Sequence, residues 1–95
     1  MFENIKLTEL SGEFFGTLIF FTIIMCQKDV LMITVALLVG IILSTSAGGP
    51  GNLNPGVSLM MYLSNNMTAD RALAFVLTQI AAGVVAVNYA KYITK

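Results

Sequence analysis

Few residues in this chain have side chains that could do chemistry. Glu13 stands inside the apolar run LSGEFFGTLIFFTIIMC, and Gln79 stands inside ALAFVLTQIAAGVVA. Asn52 and Asn54 belong to GGPGNLNPGVS, a stretch of turn residues between two apolar segments. Cys26 is the only cysteine and there is no histidine. That composition removes disulfides, Cys/His metal sites and Ser-His or Cys-His catalysis together. Glu13 has no second ionisable group to work with in its own span, so the expectation is no enzyme, no metal and no cofactor. A solitary acid in an apolar helix costs several kcal/mol unless it meets a cavity or donors, and the N–H groups of residues 48–54 are suitable donors. Gln79 reads in the same way, as a second buried polar support that bonds across helices.

These side chains need long apolar elements to hold them. Of 95 residues, 57% are hydrophobic and 11% charged. Between Leu10 and Gln27 the only charge is Glu13, and none occurs from Val30 to Thr68 or from Ala72 to Ala90. Each stretch can supply the roughly 20 helical residues that cross a hydrocarbon core. The composition points to an integral, multi-pass membrane protein whose first partner is the lipid bilayer. Five basic and five acidic residues leave no net charge, and no basic patch offers itself to nucleic acid. The opening MFENIKLTEL reads as a cytoplasmic-type lead-in with no signal-peptide pattern.

The expected organisation is one membrane domain over 1–95. Helix 1 is expected at about 8–26, helix 2 at about 30–46 after an Asp29 cap, a loop and half-helix at about 47–64, and helix 3 at about 68–90 with Thr68 as its cap. Pro55 suits the first turn of the half-helix and Asn54 its cap. Gly12 and Gly16 form a G-x-x-x-G suited to packing within the chain. Ala36, Gly40, Ser44 and Gly48 fall at four-residue steps on helix 2, and Ala72, Gln79, Ala82, Gly83, Ala86 and Ala90 make a small-residue side on helix 3. Cys26, the methionines and the phenylalanines read as packing or lipid-facing groups. Tyr89 and Tyr92 with Lys91 read as an interfacial belt. The sequon Asn66-Met67-Thr68 is taken as unmodified.

Residues 48–54 can lie outside the membrane as a plain loop, or descend into it and return as a half-helix. VSLMMYL, residues 57–63, is apolar on nearly every side and would make a poor surface helix, which favours the descent. Irregular backbone at that depth must be buried in protein or line a wet cavity.

Three blocks in order carry a resemblance. GEFFGTLIFF resembles the first-helix pattern of the major intrinsic protein family, the aquaporins and glycerol facilitators. NLNPGVS resembles that family's N-P-A loop, and RALAFVLTQIAAGVVA resembles its third helix. The resemblance implies an all-α membrane fold with three transmembrane helices and one re-entrant half-helix, a single aquaporin-like repeat. By that resemblance Asn54 is the pore asparagine, Pro55 opens the half-helix, Glu13 accepts from the loop and Gln79 supports it. The chain departs from the pattern at Gly56, where the family has alanine, and at Asn52, where it usually has histidine. The second helix has no aromatic residue, and the family's filter arginine has no counterpart.

With one repeat, a pore needs a second chain, as an inverted dimer or higher homo-oligomer. Lys6 and Arg71 fall at one side and Lys28, Lys91 and Lys95 at the other, so charge bias sets almost no orientation. Two functions are expected from different classes. One is a passive channel for water or small neutral solutes. The other is a non-conducting structural protein that anchors or spaces other membrane or structural proteins, for instance in a lipid-containing viral particle or a specialised membrane.

Overall fold

The computed structural model describes residues 5–94, so the first residues of the lead-in and Lys95 lie outside the described residues. The described residues form a bundle of four helices: α1 (Leu7–Cys26), α2 (Val30–Ser46), α3 (Pro55–Leu63) and α4 (Ala69–Ile93). The bundle measures 42 × 23 × 22 Å. α1 lies between α2 and α4, and the short α3 packs on α4. α1 and α4 are long and apolar enough to cross a membrane, and α2 is a shorter apolar helix.

Helix starts follow local chemistry. Asp29 Oδ1 accepts from Leu31 N at 2.8 Å and Met32 N at 3.2 Å, capping α2 after a turn too short to do anything but reverse the chain. Asn54 Oδ1 accepts from Gly56 N at 2.7 Å, and Pro55 occupies the first turn of α3. Thr68 departs from its expected capping role. It holds the N-cap position of α4, but its hydroxyl donates to Asp70 Oδ1 at 2.6 Å, because the neighbouring carboxylate is the stronger acceptor. α4 also runs three residues past the expected Ala90, since neither glycine nor proline interrupts Lys91–Ile93.

The helices approach closely where glycines allow it. A Cβ on Gly16 would come 2.5 Å from Gly40 O, and one on Gly12 would come 2.6 Å from Ala47 Cβ. Backbone therefore meets backbone along the α1–α2 seam. Ala36, Gly40 and Ser44 are buried on α2 as their four-residue spacing suggests. Gly48 leaves that side, because α2 stops at Ser46. Its φ of +86° closes the helix, with Gly48 N donating to Thr45 O at 3.0 Å and Gly49 N to Ser44 O at 2.8 Å. On α4 the buried side is Ala72, Phe75, Gln79, Ala82, Ala86 and Ala90. Gly83 sits at its edge, where a Cβ would rest 3.4 Å from the Phe21 ring, an ordinary contact.

Beyond Ser46 the chain climbs back along α1. Gly49 lies against the Glu9 carbonyl, and Leu53 lies against Gly16 and Gly40, two turns further along. α3 starts from that level and returns toward the α3–α4 turn. On α3 only Ser58 is buried, while Leu59, Met60, Tyr62 and Leu63 are exposed.

Candidate functional site

Glu13 lies about 9 Å along α1 from Leu7, and Gln79 about 15 Å along α4 from Ala69. Both are fully buried. Glu13 Oε1 accepts from Leu53 N at 2.6 Å and from Gln79 Nε2 at 2.7 Å, and Glu13 Oε2 accepts from the Ser44 hydroxyl. Every partner donates, which suits a carboxylate that only accepts. Hydrogen bonds to a charged group contribute about 1.5–3 kcal/mol each, so a set of them offsets the cost of burying the acid.

The network extends from both oxygens. Ser44 Oγ accepts from Gly51 N at 3.1 Å, which ties α2 to the loop that follows it. On the other side Ser58 Oγ donates to Gln79 Oε1 at 3.1 Å, with Gln79 Nε2 2.9 Å from the same hydroxyl. Asn52 Nδ2 then donates to Ser58 Oγ at 3.1 Å. All four helices and the loop thus meet around one carboxylate. Thr17, one turn beyond Glu13, is also fully buried but stays outside this network, its hydroxyl having no partner among the described residues.

Leu53 gives the loop its seat. Its φ of +57° is a left-handed conformation that a branched apolar residue rarely adopts. The N–H bond to Glu13 and the side-chain position hold it there. The side chain is fully buried, and Cβ atoms on Gly16 or Gly40 would come within 3.0 and 2.7 Å of its methyl carbons. Both glycines are thus needed twice, for the backbone crossing and for the leucine that rests on it.

Asn54 follows at the surface of the bundle. Its Oδ1 is engaged by Gly56 N, and its Nδ2 has no hydrogen-bond partner among the described residues. A Cβ on Gly56 would come 3.1 Å from Asn54 Oδ1, so the missing methyl leaves this carboxamide room. Below the network, Arg71 Nη2 pairs with Glu9 Oε2 at 2.8 Å, and its guanidinium lies 5.3 Å from the centre of the Phe75 ring. This pair joins α4 to α1 at the end where α3 and α4 turn.

The structure brings Glu13, Gln79 and Asn52 into one network and sets Asn54, exposed and capping α3, outside it. Sequence reasoning missed Ser44, Ser58 and Leu53 as members, and missed the Glu9–Arg71 pair that lies outside the network. Ser44 carried a signal, its place four residues after Gly40 on the α1-facing side. Ser58 carried a weaker one, a single serine among the mostly apolar residues of α3. Among the described residues no group of three or more His, Cys, Asp or Glu side chains could hold a metal ion. Comparison with protein-family models, with curated proteins and with solved structures found no match for the chain.

Proposed function

We propose that the chain crosses a bilayer three times, with the loop and α3 re-entering from one side, and that it forms half of a passive pore resembling a single aquaporin repeat. A second, inverted copy supplies the other half, and water or small neutral solutes pass between them. Several features support the membrane reading. The 42 Å length suits a bilayer of about 40–45 Å including headgroups. In the most apolar 18-residue windows of α1 and α4 only 28% of residues are buried, whereas a helix from a soluble core would be mostly covered. The outer face of α3 carries Leu59, Met60 and Leu63 exposed and calls for lipid or a second copy.

The observation that carries the pore reading is Asn54. Its Oδ1 caps α3, and the rest of this exposed carboxamide leaves an N–H2 donor at the positive end of that helix. Such a donor can replace part of a solute's hydration shell while discouraging cations. Osmotic shrinkage of proteoliposomes tests this by stopped flow, with wild type beside Asn54→Asp. Water permeability well above that of empty vesicles, abolished or altered in the variant, is the expected result. A variant that conducts like wild type would remove Asn54 from the pore.

One observation favours the structural reading instead. The donors to Glu13 all come from this one chain, as a fold support would require. Empty-vesicle rates from folded protein would select that reading.

A further inference from the structure

One side of α4 is left uncovered by the bundle. Leu73, Leu77, Ile80, Val84 and Val87 follow one another at alternating steps of four and three residues, and all five are exposed. That spacing lays a straight seam along a helix and suits packing against a second helix at a crossing angle of about 20°. Apolar side chains alone would suit lipid as well as a helix, and the charges at the two ends of the seam decide between them. Asp70 continues the same spacing three residues before Leu73, and Lys91 continues it four residues after Val87. Neither has an ion-pair partner among the described residues, since Arg71 is engaged by Glu9 and Asp70 accepts from the Thr68 hydroxyl. They lie about 32 Å apart along α4, at the two edges of a hydrocarbon core of about 30 Å.

We infer that this seam is the surface on which an inverted second copy of the chain docks, with two symmetric Asp70–Lys91 ion pairs fixing its orientation and register. A copy laid antiparallel brings Asp70 of each chain to Lys91 of the other. A parallel copy sets like charges together at both ends, which is repulsive. The antiparallel register also places Leu77 level with Val84 of the copy, and Ile80 level with the small Ala81. Its two-fold axis passes beside Ile80 and Ala81. α1 and α4 run parallel with Glu9 bonded to Arg71, so that level is within about one helical turn of Gly16, where Leu53 is seated just before Asn54. An inverted pair about this axis therefore holds both copies of Asn54 near one plane.

The inference rests on the pore reading for the presence of an inverted copy and adds where that copy attaches. In vesicles, with Cys26 replaced by serine, a mixture of Asp70→Cys and Lys91→Cys chains should crosslink into dimers on mild oxidation, and neither variant should do so alone. In micelles, Asp70→Lys should raise the dimer dissociation constant about fivefold, and Asp70→Lys with Lys91→Asp should restore it. Ile80→Ala should weaken the dimer, whereas Val39→Ala on the exposed side of α2 should not. Dimers from either cysteine variant alone, none from the mixture, or no rescue by the charge exchange would overturn the assignment. Vesicles that pass water while the mixture stays uncrosslinked would remove the seam and keep the pore. A crosslinked inverted dimer in vesicles that pass none would remove the pore and keep the seam.

Discussion

The two ends of the α1–α4 seam are built differently. In the half that holds Glu13, glycines, serines and a buried carboxylate bring helices and loop into contact by hydrogen bonds and backbone packing. In the half toward Cys26, the seam opens into a mostly apolar groove lined by Leu18, Ile19, Thr22, Ile23, Val85 and Tyr89. One half specifies a single arrangement, because donors from α2, α4 and the loop all converge on the Glu13 carboxylate. The other is mainly apolar volume and fixes no comparable set of bonds. Substitutions should therefore weigh very differently in the two halves.

Removing the centre of the first half should have the largest effect. Glu13→Leu leaves Leu53 N, Gln79 Nε2 and the Ser44 hydroxyl without their acceptor, at about 1–3 kcal/mol for each buried donor so stranded. Thermal unfolding in detergent should fall by many degrees or the protein should fail to accumulate. An unchanged midpoint would separate Glu13 from the loop. Next come two glycines on the inner sides of their helices. Gly16→Ala would drive a methyl into Gly40 O and unseat Leu53, with a cost of about 1–3 kcal/mol. Gly83→Ala would meet only the Phe21 ring at contact distance and gain up to about 1 kcal/mol of helix propensity. Opposite signs in denaturant titrations would sharpen the contrast between the halves, and equal signs would break it. The smallest effect belongs to the groove, where Ile19→Leu, a volume-conserving change at a partly exposed position, should shift stability by under about 0.5 kcal/mol and leave permeation as it was.

The same contrast explains what could be read in the sequence. The helices were legible because charges, Asp29 and Asn54 punctuate long apolar runs, and each run has one way to fold in an apolar setting. Glu13 and Gln79 were legible as buried polar groups, since nothing else in their helices could tolerate them exposed to hydrocarbon. Ser44 and Ser58 were not, because a serine in an apolar helix can satisfy its hydroxyl on its own backbone, and only tertiary geometry shows that these two do not. Leu53 was hidden for a different reason. Its left-handed φ contradicts its residue type, and the contradiction is resolved by Glu13, Gly16 and Gly40, up to 40 residues distant in sequence. Gly83 showed the limit of counting small residues, since its place on a stripe said nothing about the distance to the neighbouring helix.

The seat of Leu53 also imposes a sequence of events. Neither its pocket nor its acceptor exists in one helix alone: Gly16 and Glu13 come from α1, and Gly40 from α2. The hairpin of the first two helices must close before the leucine can settle, and only a settled leucine fixes where α3 begins. Assembly is thus timed by a lock that cannot be fitted before its frame is standing. In refolding followed by hydrogen exchange, the Leu53 amide should gain protection after the amides around Gly16 and Gly40, and its earlier protection would show that the loop does not wait for its frame.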